Sequence, residues 1–208
     1  MSSRSIHAFI ITAIAALGYQ SATAQLTGGN VFIKGNFVEV GIAPNGAFGT
    51  TINAPVGYNA RPTPVNATIY DPMSTTYTSR PHALGFVADY GKDGFTTGNP
   101  AFWGDYFMPG SPQEGFSIQV NGATGDAWTS NYTTFGSTGF NGAAFTGANS
   151  SVNSSGGTTT AVWNGNMGNL AIRQTTQLRD TNLFFAISIV LRNTGTTTLN
   201  DVYYIPSV

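Results

Sequence analysis

The chain has 208 residues, of which only 8% are charged, and its formal net charge is −1. It carries no basic stripe that would attract nucleic acid, and it has no cysteine, so no disulfide bond stabilises the fold. The 26 glycines, the many threonines, asparagines and serines, and the scarcity of Lys, Glu and Arg favour strands and turns over helices, which predicts an all-β fold.

The amino-terminal segment, residues 1–24, has the organisation of a secretory signal peptide. A weakly basic start is followed by an apolar run over residues 8–17, and Ala-Thr-Ala at residues 22–24 fits a signal-peptidase site. The alternative is a transmembrane anchor, but the run falls well short of the roughly 20 apolar residues that cross a bilayer. We therefore expect no membrane span. The mature chain should begin at Gln25 and lie outside the cell or on its surface.

The first strand-forming stretch of the mature chain covers residues 30–42. Gly35 and Asn36 interrupt its alternation where a bulge would sit, so we predict a break in the strand there. Residues 43–66 contain four prolines and repeated Gly and Asn. This composition predicts a long loop with at most a short strand.

Asp89 follows a short predicted strand and opens a possible calcium-binding loop. Asp89 and Asp93 would occupy positions 1 and 5 of a loop of the Asp-x-Asp-x-Asp-Gly type, whose hard carboxylate oxygens suit calcium. The match is incomplete, because position 3 is Gly91 and Pro100 stands where the twelfth position requires Glu. A Lys-Asp-Gly hairpin turn is the alternative interpretation. Asp89 and Asp93 are thus the candidate calcium ligands.

Residues 99–116 form the densest aromatic segment of the chain. Trp103 and Tyr106 stand there beside Asp105 and Glu114, which are its only charged residues. Exposed rings next to carboxylates suit a glycan-binding or glycosidase cleft, because rings stack on sugar faces while acids bind hydroxyls or protonate a leaving oxygen. The alternative is that these rings pack beneath a loop and supply buried area. The segment therefore gives four candidate ligand-binding residues.

The middle of the chain gives weaker signals. Residues 115–121 alternate cleanly between apolar and polar positions and are predicted to form a strand. Residues 122–157 are rich in Gly, Ser, Thr and Asn, with one or two weak strands expected around residues 127–134. Residues 149–157 have nearly pure linker composition, which predicts a flexible excursion.

The last third of the chain contains the strongest strand pattern. Residues 158–163 and 169–178 are predicted strands, and the second is expected to start buried and end wetter. Residues 183–192 have one wholly apolar face, which predicts a central strand over the core, paired antiparallel with 169–178. Residues 202–205 are expected to return as a hairpin partner, which would give a meander of at least three strands.

The run Leu-Arg-Asn-Thr-Gly-Thr-Thr-Thr-Leu-Asn-Asp-Val-Tyr-Tyr, residues 191–204, resembles the late hairpin of immunoglobulin-like modules in bacterial surface proteins. Together with residues 84–89 and 104–115, it is similar to an N-terminal β-sandwich region of large secreted proteins of Bacteroidota. Such proteins continue into further adhesive modules and a sorting domain. The resemblance implies a surface or matrix role and supplies no catalytic residues. Residues 25–208 are long enough for one large sandwich domain, or for a sandwich with an appended lobe, and the resemblance implies that this domain is truncated at its carboxy terminus.

Catalytic motifs are scarce in the mature chain. His82 is its only histidine, cysteine is absent, and no Gly-x-Ser-x-Gly motif occurs, so cysteine–histidine chemistry and multi-histidine zinc sites are excluded. No Walker or dinucleotide-binding glycine pattern is present. Apart from paired carboxylates, with Asp105 and Glu114 the best placed, no enzymatic arrangement is indicated. We therefore expect a protein that is not an enzyme, with a glycoside hydrolase as the least unlikely enzyme class.

The sequence as a whole predicts an antiparallel, immunoglobulin-like β-sandwich with long Gly/Asn/Pro-rich loops. We expect a non-catalytic structural or adhesive module that presents the loops 43–66 and 89–114. Its partners would be other modules of a longer chain, or components of the cell surface or matrix. No cofactor is predicted apart from calcium. The alternative is a protein that binds or hydrolyses glycans through Trp103, Asp105, Tyr106 and Glu114.

Overall fold

The computed structural model describes residues 23–58, 84–89, 91–92, 115–120, 129–132, 140–141 and 145–207. This part of the chain is all-β, as predicted, and every strand pairing in it is antiparallel. Its strands are β1 (Thr23–Thr27), β2 (Asn30–Lys34), β3 (Val38–Ile42), β4 (Phe86–Ala88), β5 (Gly115–Gln119), β6 (Thr129–Tyr132), β7 (Phe140–Asn141), β8 (Phe145–Ser155), β9 (Thr158–Met167), β10 (Leu170–Arg179), β11 (Phe185–Asn193) and β12 (Tyr203–Ser207). Within the described ranges, no helix is long and apolar enough to cross a membrane.

The strands form three four-stranded sheets. The first sheet has the order β1-β2-β3-β4, the long sheet β11-β10-β9-β8, and the third sheet β12-β5-β6-β7. The predicted break in residues 30–42 is confirmed, and it takes the form of a tight reversal between β2 and β3. The Gly35 amide donates to the Val38 carbonyl at 2.8 Å, and the Asn36 amide donates to the Asp180 carbonyl at 2.9 Å. The break therefore also joins the first sheet to the end of β10.

The long sheet is a meander of four strands. Gly156 and Gly157, both at positive φ, connect β8 to β9, and this conformation matches the twist of a two-residue hairpin. The predicted flexible linker over residues 149–157 is therefore wrong, because most of it belongs to β8. Serine and threonine are compatible with a strand once a paired neighbour supplies the hydrogen bonds. The strands predicted at residues 158–163 and 169–178 are confirmed as β9 and β10.

The third sheet contains a strand pairing that the local sequence pattern does not predict. The strand predicted at residues 115–121 is confirmed as β5, and a short β6 lies where a weak strand was expected. The carboxy-terminal strand β12 pairs with β5 and not with β11. The predicted hairpin between residues 183–192 and 202–205 is therefore wrong. The connection, residues 194–202, is too long for a tight turn, and its partly buried Leu199 and Val202 pack against the core.

The first and third sheets pack on the same face of the long sheet, which makes the fold an antiparallel β-sandwich. One core cluster joins the first sheet to the long sheet, and a second joins the third sheet to the other end of the long sheet. The buried members of the first cluster include Val31, Ile33, Val38, Val40, Ala161 and Leu178, and those of the second include Phe116, Ile118, Trp163, Leu170 and Ile172. One face of β9 and β10 thus supports both covering sheets.

A loop between the two covering sheets, residues 43–48, closes the middle of this face. The Trp163 indole N–H donates to the Pro44 carbonyl at 2.9 Å, and the Gln174 side-chain amide donates to the Gly46 carbonyl at 2.9 Å. Gln174 and Thr176 are therefore buried, so the expectation that this strand ends wetter is wrong. The reason is that a loop distant in sequence covers the polar half of the strand.

The strand β11 lies at the edge of the long sheet, and its predicted central position is wrong. Its pairing with β10 is confirmed over nine residue pairs, from Leu178 with Phe185 to Leu170 with Asn193. No strand in the described part of the chain pairs with its other side. Most of its apolar face still packs on the core, because Phe185 contacts the first core cluster and Ile189 and Leu191 contact the second, while Ile187 is 47% exposed.

Candidate functional site

Most of the ligand-binding residues that the sequence singled out lie outside the described residues. This holds for Trp103, Asp105, Tyr106 and Glu114, and also for the second candidate calcium ligand, Asp93. The aromatic and acidic cleft therefore stays a prediction.

The structure places only the first candidate calcium ligand, Asp89. It follows β4 directly, as predicted, and is fully buried. Its amide donates to the Phe37 carbonyl at 2.8 Å, and its carbonyl accepts from the Lys92 amide at 3.1 Å, with Lys92 at a φ of 56°. No cluster of three or more potential metal ligands occurs among the described residues. A melting temperature that falls on addition of a calcium chelator would support the site.

A buried ion pair lies on the outer face of the first sheet. Lys34 and Glu39 are directly opposite each other on β2 and β3, and their side chains meet at 2.9 Å. The Glu39 side chain is fully buried, whereas that of Lys34 is 23% exposed. The Lys34 ammonium group also donates to the Gly57 carbonyl. One cation therefore neutralises a buried acid and fastens the end of the loop 43–58 to the sheet.

Tyr58 completes this group. Its ring lies beneath the Lys34 ammonium, with 5.8 Å between the nitrogen and the ring centroid, and it meets Phe32 edge-on at 5.9 Å. Burial, and then the nearby Glu39 carboxylate, raise the pKa of Tyr58 well above its usual range, while a hydrogen bond to the Thr23 side chain lowers it by a smaller amount. The hydroxyl thus stays neutral, and the group acts as a structural anchor.

The most distinctive surface in the described part of the chain is the free edge of β11. We call the β11 edge the outer side of Phe185–Asn193 together with the exposed side chains of Phe184, Ile187 and Val190. These three side chains are 63%, 47% and 55% exposed. The strand contains one charged residue, Arg192, and neither proline nor lysine. Such an edge offers unpaired backbone groups and apolar contacts to another strand.

The opposite edge of the same sheet is protected. In β8 the register shifts between Asn149 and Ser151, which marks a bulge. The Asn149 side-chain amide donates to the Gly29 carbonyl at 2.8 Å and to the Ala43 carbonyl at 2.9 Å, which holds β8 against the first sheet. Bulges and covering segments are the usual protection of edge strands. The contrast singles out β11 as the accessible edge of the long sheet.

Sequence reasoning missed both features, although each has a signal in the sequence. Opposite charges flank the turn over residues 35–38, and the register that the Gly35–Val38 hydrogen bond closes places Lys34 directly opposite Glu39. The β11 edge carries apolar side chains on both faces, since Val190 lies among the alternate positions that an edge strand normally keeps polar. That pattern indicates a strand that is covered on both faces or paired on both sides.

The chain was compared with known proteins in three ways. Neither the protein-family models nor the curated proteins nor the solved structures contain a match to it. The functional argument therefore depends on the geometry described above.

Proposed function

We propose that the protein is an exported, non-catalytic structural or adhesive module of an extracellular or cell-surface protein. The observation that carries this proposal is the β11 edge, a long, regular and apolar strand margin on a rigid sheet. Proteins that bind by strand addition use such a margin, because its backbone groups supply affinity and its side chains supply specificity. We also propose that it is an immunoglobulin-like module of a Bacteroidota surface protein.

Two further features support a scaffold. The Lys34–Glu39 pair fastens the loop 43–58 to the first sheet. The loop 43–48, which continues from β3, is bonded to both β9 and β10, and these bonds hold the first sheet on the long sheet. A rigid frame of this kind presents an interaction edge at a low cost in conformational entropy. The signal-peptide pattern supplies the expected location.

Export is tested by producing the whole chain with its amino-terminal segment in a bacterial host and determining the amino terminus of the recovered protein by mass spectrometry. We expect a chain that begins at Gln25 and is found outside the cytoplasm. An unprocessed chain retained in the cytoplasm would contradict the proposal.

Adhesion is tested with beads coated with the purified protein, with uncoated beads as the control. We expect the coated beads to be retained on the surface, or on isolated matrix, of cells that produce the protein. Equal retention of coated and uncoated beads would contradict an adhesive role. Release of reducing sugar from a panel of glycans would instead favour the glycan-hydrolysing alternative.

A further inference from the structure

The regularity of β11 is the first step in identifying its partner. All nine of its residues keep an unbroken register with β10, whereas β8 at the other margin of the sheet is bulged. Edge strands in monomeric proteins are usually short, bulged, charged or interrupted by proline. Because β11 has none of these features apart from Arg192 near its end, it is suited to a partner strand of equal length.

The exposed side chains define the chemistry of that partner. Ile187 belongs to the core-facing row of the sheet and Val190 to the opposite face, and about half of each is exposed. A strand that covers both must carry apolar residues on both of its own faces. The sequence of β11 meets this requirement itself, with Ile187, Ile189 and Leu191 on one face and Ala186 and Val190 on the other.

The position of its one charged residue, Arg192, allows β11 to pair with β11 of a second copy. An antiparallel register centred on Ile189 pairs all nine residues and keeps each side chain on its own face. It places Ile187 opposite Leu191 of the second copy, and Arg192 opposite Ala186. The two arginines are thus kept apart, and like charges directly opposite each other, which destabilise a sheet, are avoided.

We propose that the protein forms a two-fold symmetric dimer in which β11 pairs antiparallel with β11 of a second copy. The two four-stranded long sheets then become one sheet of eight strands. The two-fold axis of the dimer is perpendicular to the long sheet. The end of the long sheet that the first sheet covers in one copy therefore lies beside the end that the third sheet covers in the other copy. This isologous contact closes on itself and does not propagate into a filament. The inference rests on the proposed function, since it names the partner of the β11 edge.

Charge substitution at Val190 tests the dimer. In the proposed register the two Val190 side chains are diagonal neighbours across the interface, within reach of long side chains. We expect the purified protein to sediment as a dimer, and Val190→Lys and Val190→Glu each to weaken the dimer at least about tenfold. Mixing the two variants should restore dimers through opposite charges. Leu26→Lys is the control, because Leu26 is 45% exposed on the first sheet.

A cysteine substitution tests the register independently, since the chain has no cysteine of its own. Residues directly opposite each other in an antiparallel pair have Cα atoms about 4.5–5.5 Å apart, within the range that a disulfide bond spans. Mild oxidation should therefore link Ile189→Cys into a covalent dimer. Val56→Cys, at a fully exposed position on the loop, should not form one to the same extent.

A protein that is monomeric at every concentration, or assembly that Val190→Lys leaves unchanged, would overturn the dimer. So would a failure of the mixed variants to associate. Circular dichroism and the melting temperature of each variant establish that it is folded. An exported, adhesive monomer would refute the dimer alone, whereas a dimer that does not adhere would refute the adhesive role alone.

Discussion

Replacing Gly46 with alanine tests how the loop 43–48 is held on the long sheet. Gly46 has a φ of +86°, and a Cβ added there would lie 2.7 Å from Cδ2 of Trp163. The Trp163 side chain is 1% exposed, and its indole N–H is bonded to the Pro44 carbonyl. The ring cannot move away without breaking this bond. The variant should therefore suffer both backbone strain and overpacking.

The two contributions can be separated with a matched control. A non-glycine residue at positive φ costs about 1–2 kcal/mol, and overpacking a closed core costs about 1–3 kcal/mol. We expect Gly46→Ala to lower the free energy of unfolding by about 3 kcal/mol. Gly156 has a φ of +57° with no atom within 4 Å of an added Cβ, so Gly156→Ala should lose only the backbone contribution of about 1 kcal/mol.

The measurement is equilibrium unfolding in urea, followed by tryptophan fluorescence. A change in the midpoint at a constant slope reports a change in stability and not in the surface exposed on unfolding. If Gly46→Ala loses no more stability than Gly156→Ala, Trp163 does not lie against Gly46. The packing of the loop between the two covering sheets would then be refuted.

Three further predictions concern the buried polar groups. Lys34→Met should lower the free energy of unfolding by about 3 kcal/mol, because it leaves Glu39 buried without its cation. A double-mutant cycle measured by urea unfolding checks this: Lys34→Met combined with Glu39→Gln should cost less than the sum of the two single changes. The pKa of Tyr58 is raised in the folded protein, so the unfolded chain loses the hydroxyl proton first as the pH rises. The free energy of unfolding therefore falls above about pH 10. Tyr58→Phe should make this loss smaller in unfolding curves measured against pH. The Thr176 hydroxyl is buried with no hydrogen-bond partner in the described structure, so Thr176→Val should be neutral or stabilising by up to about 1 kcal/mol. Thr159→Val is the control and should destabilise by about 1 kcal/mol, because the Thr159 hydroxyl is hydrogen-bonded to the Ser154 hydroxyl. Equal shifts in melting temperature for the two variants would contradict this prediction.

The strands that local pattern predicts correctly are those bounded by clear turn residues. Gly35 and Asn36 end β2, and Gly168 at positive φ marks the reversal from β9 to β10. In these places the alternation and the turn chemistry agree, so the pairing of neighbours along the chain follows. The same reasoning predicts the pairing of β10 with β11.

Composition gave a wrong prediction for the polar second half of β8. Residues 149–155 contain mostly serine and asparagine, which are common in linkers, yet they pair with β9. The turn at Gly156 and Gly157 was the informative feature, because two adjacent glycines between strands favour a hairpin. The side chain of Asn149 then fixes this strand to the first sheet through two carbonyl groups, which no local pattern reveals.

Sheet membership could not be predicted, because it depends on contacts between segments far apart in sequence. β12 follows β11 along the chain, but it pairs with β5, whose partner residues lie 84 to 92 positions earlier. The buried positions of Gln174 and Thr176 depend likewise on the distant loop 43–48. The candidate cleft at Trp103 and Tyr106 lies beyond the described ranges and stays a prediction.

The position of β11 connects the failed prediction to the proposed dimer. Its alternation is typical of a strand with neighbours on both sides, yet the structure gives it one neighbour, β10. In an isolated copy, Ile187 and Val190 are each about half exposed, which is unfavourable for apolar side chains. Pairing with a second copy would place β11 at the middle of an eight-stranded sheet and cover both residues. The sequence pattern would then describe the strand correctly in the assembled state, and the edge position would belong to the unassembled chain.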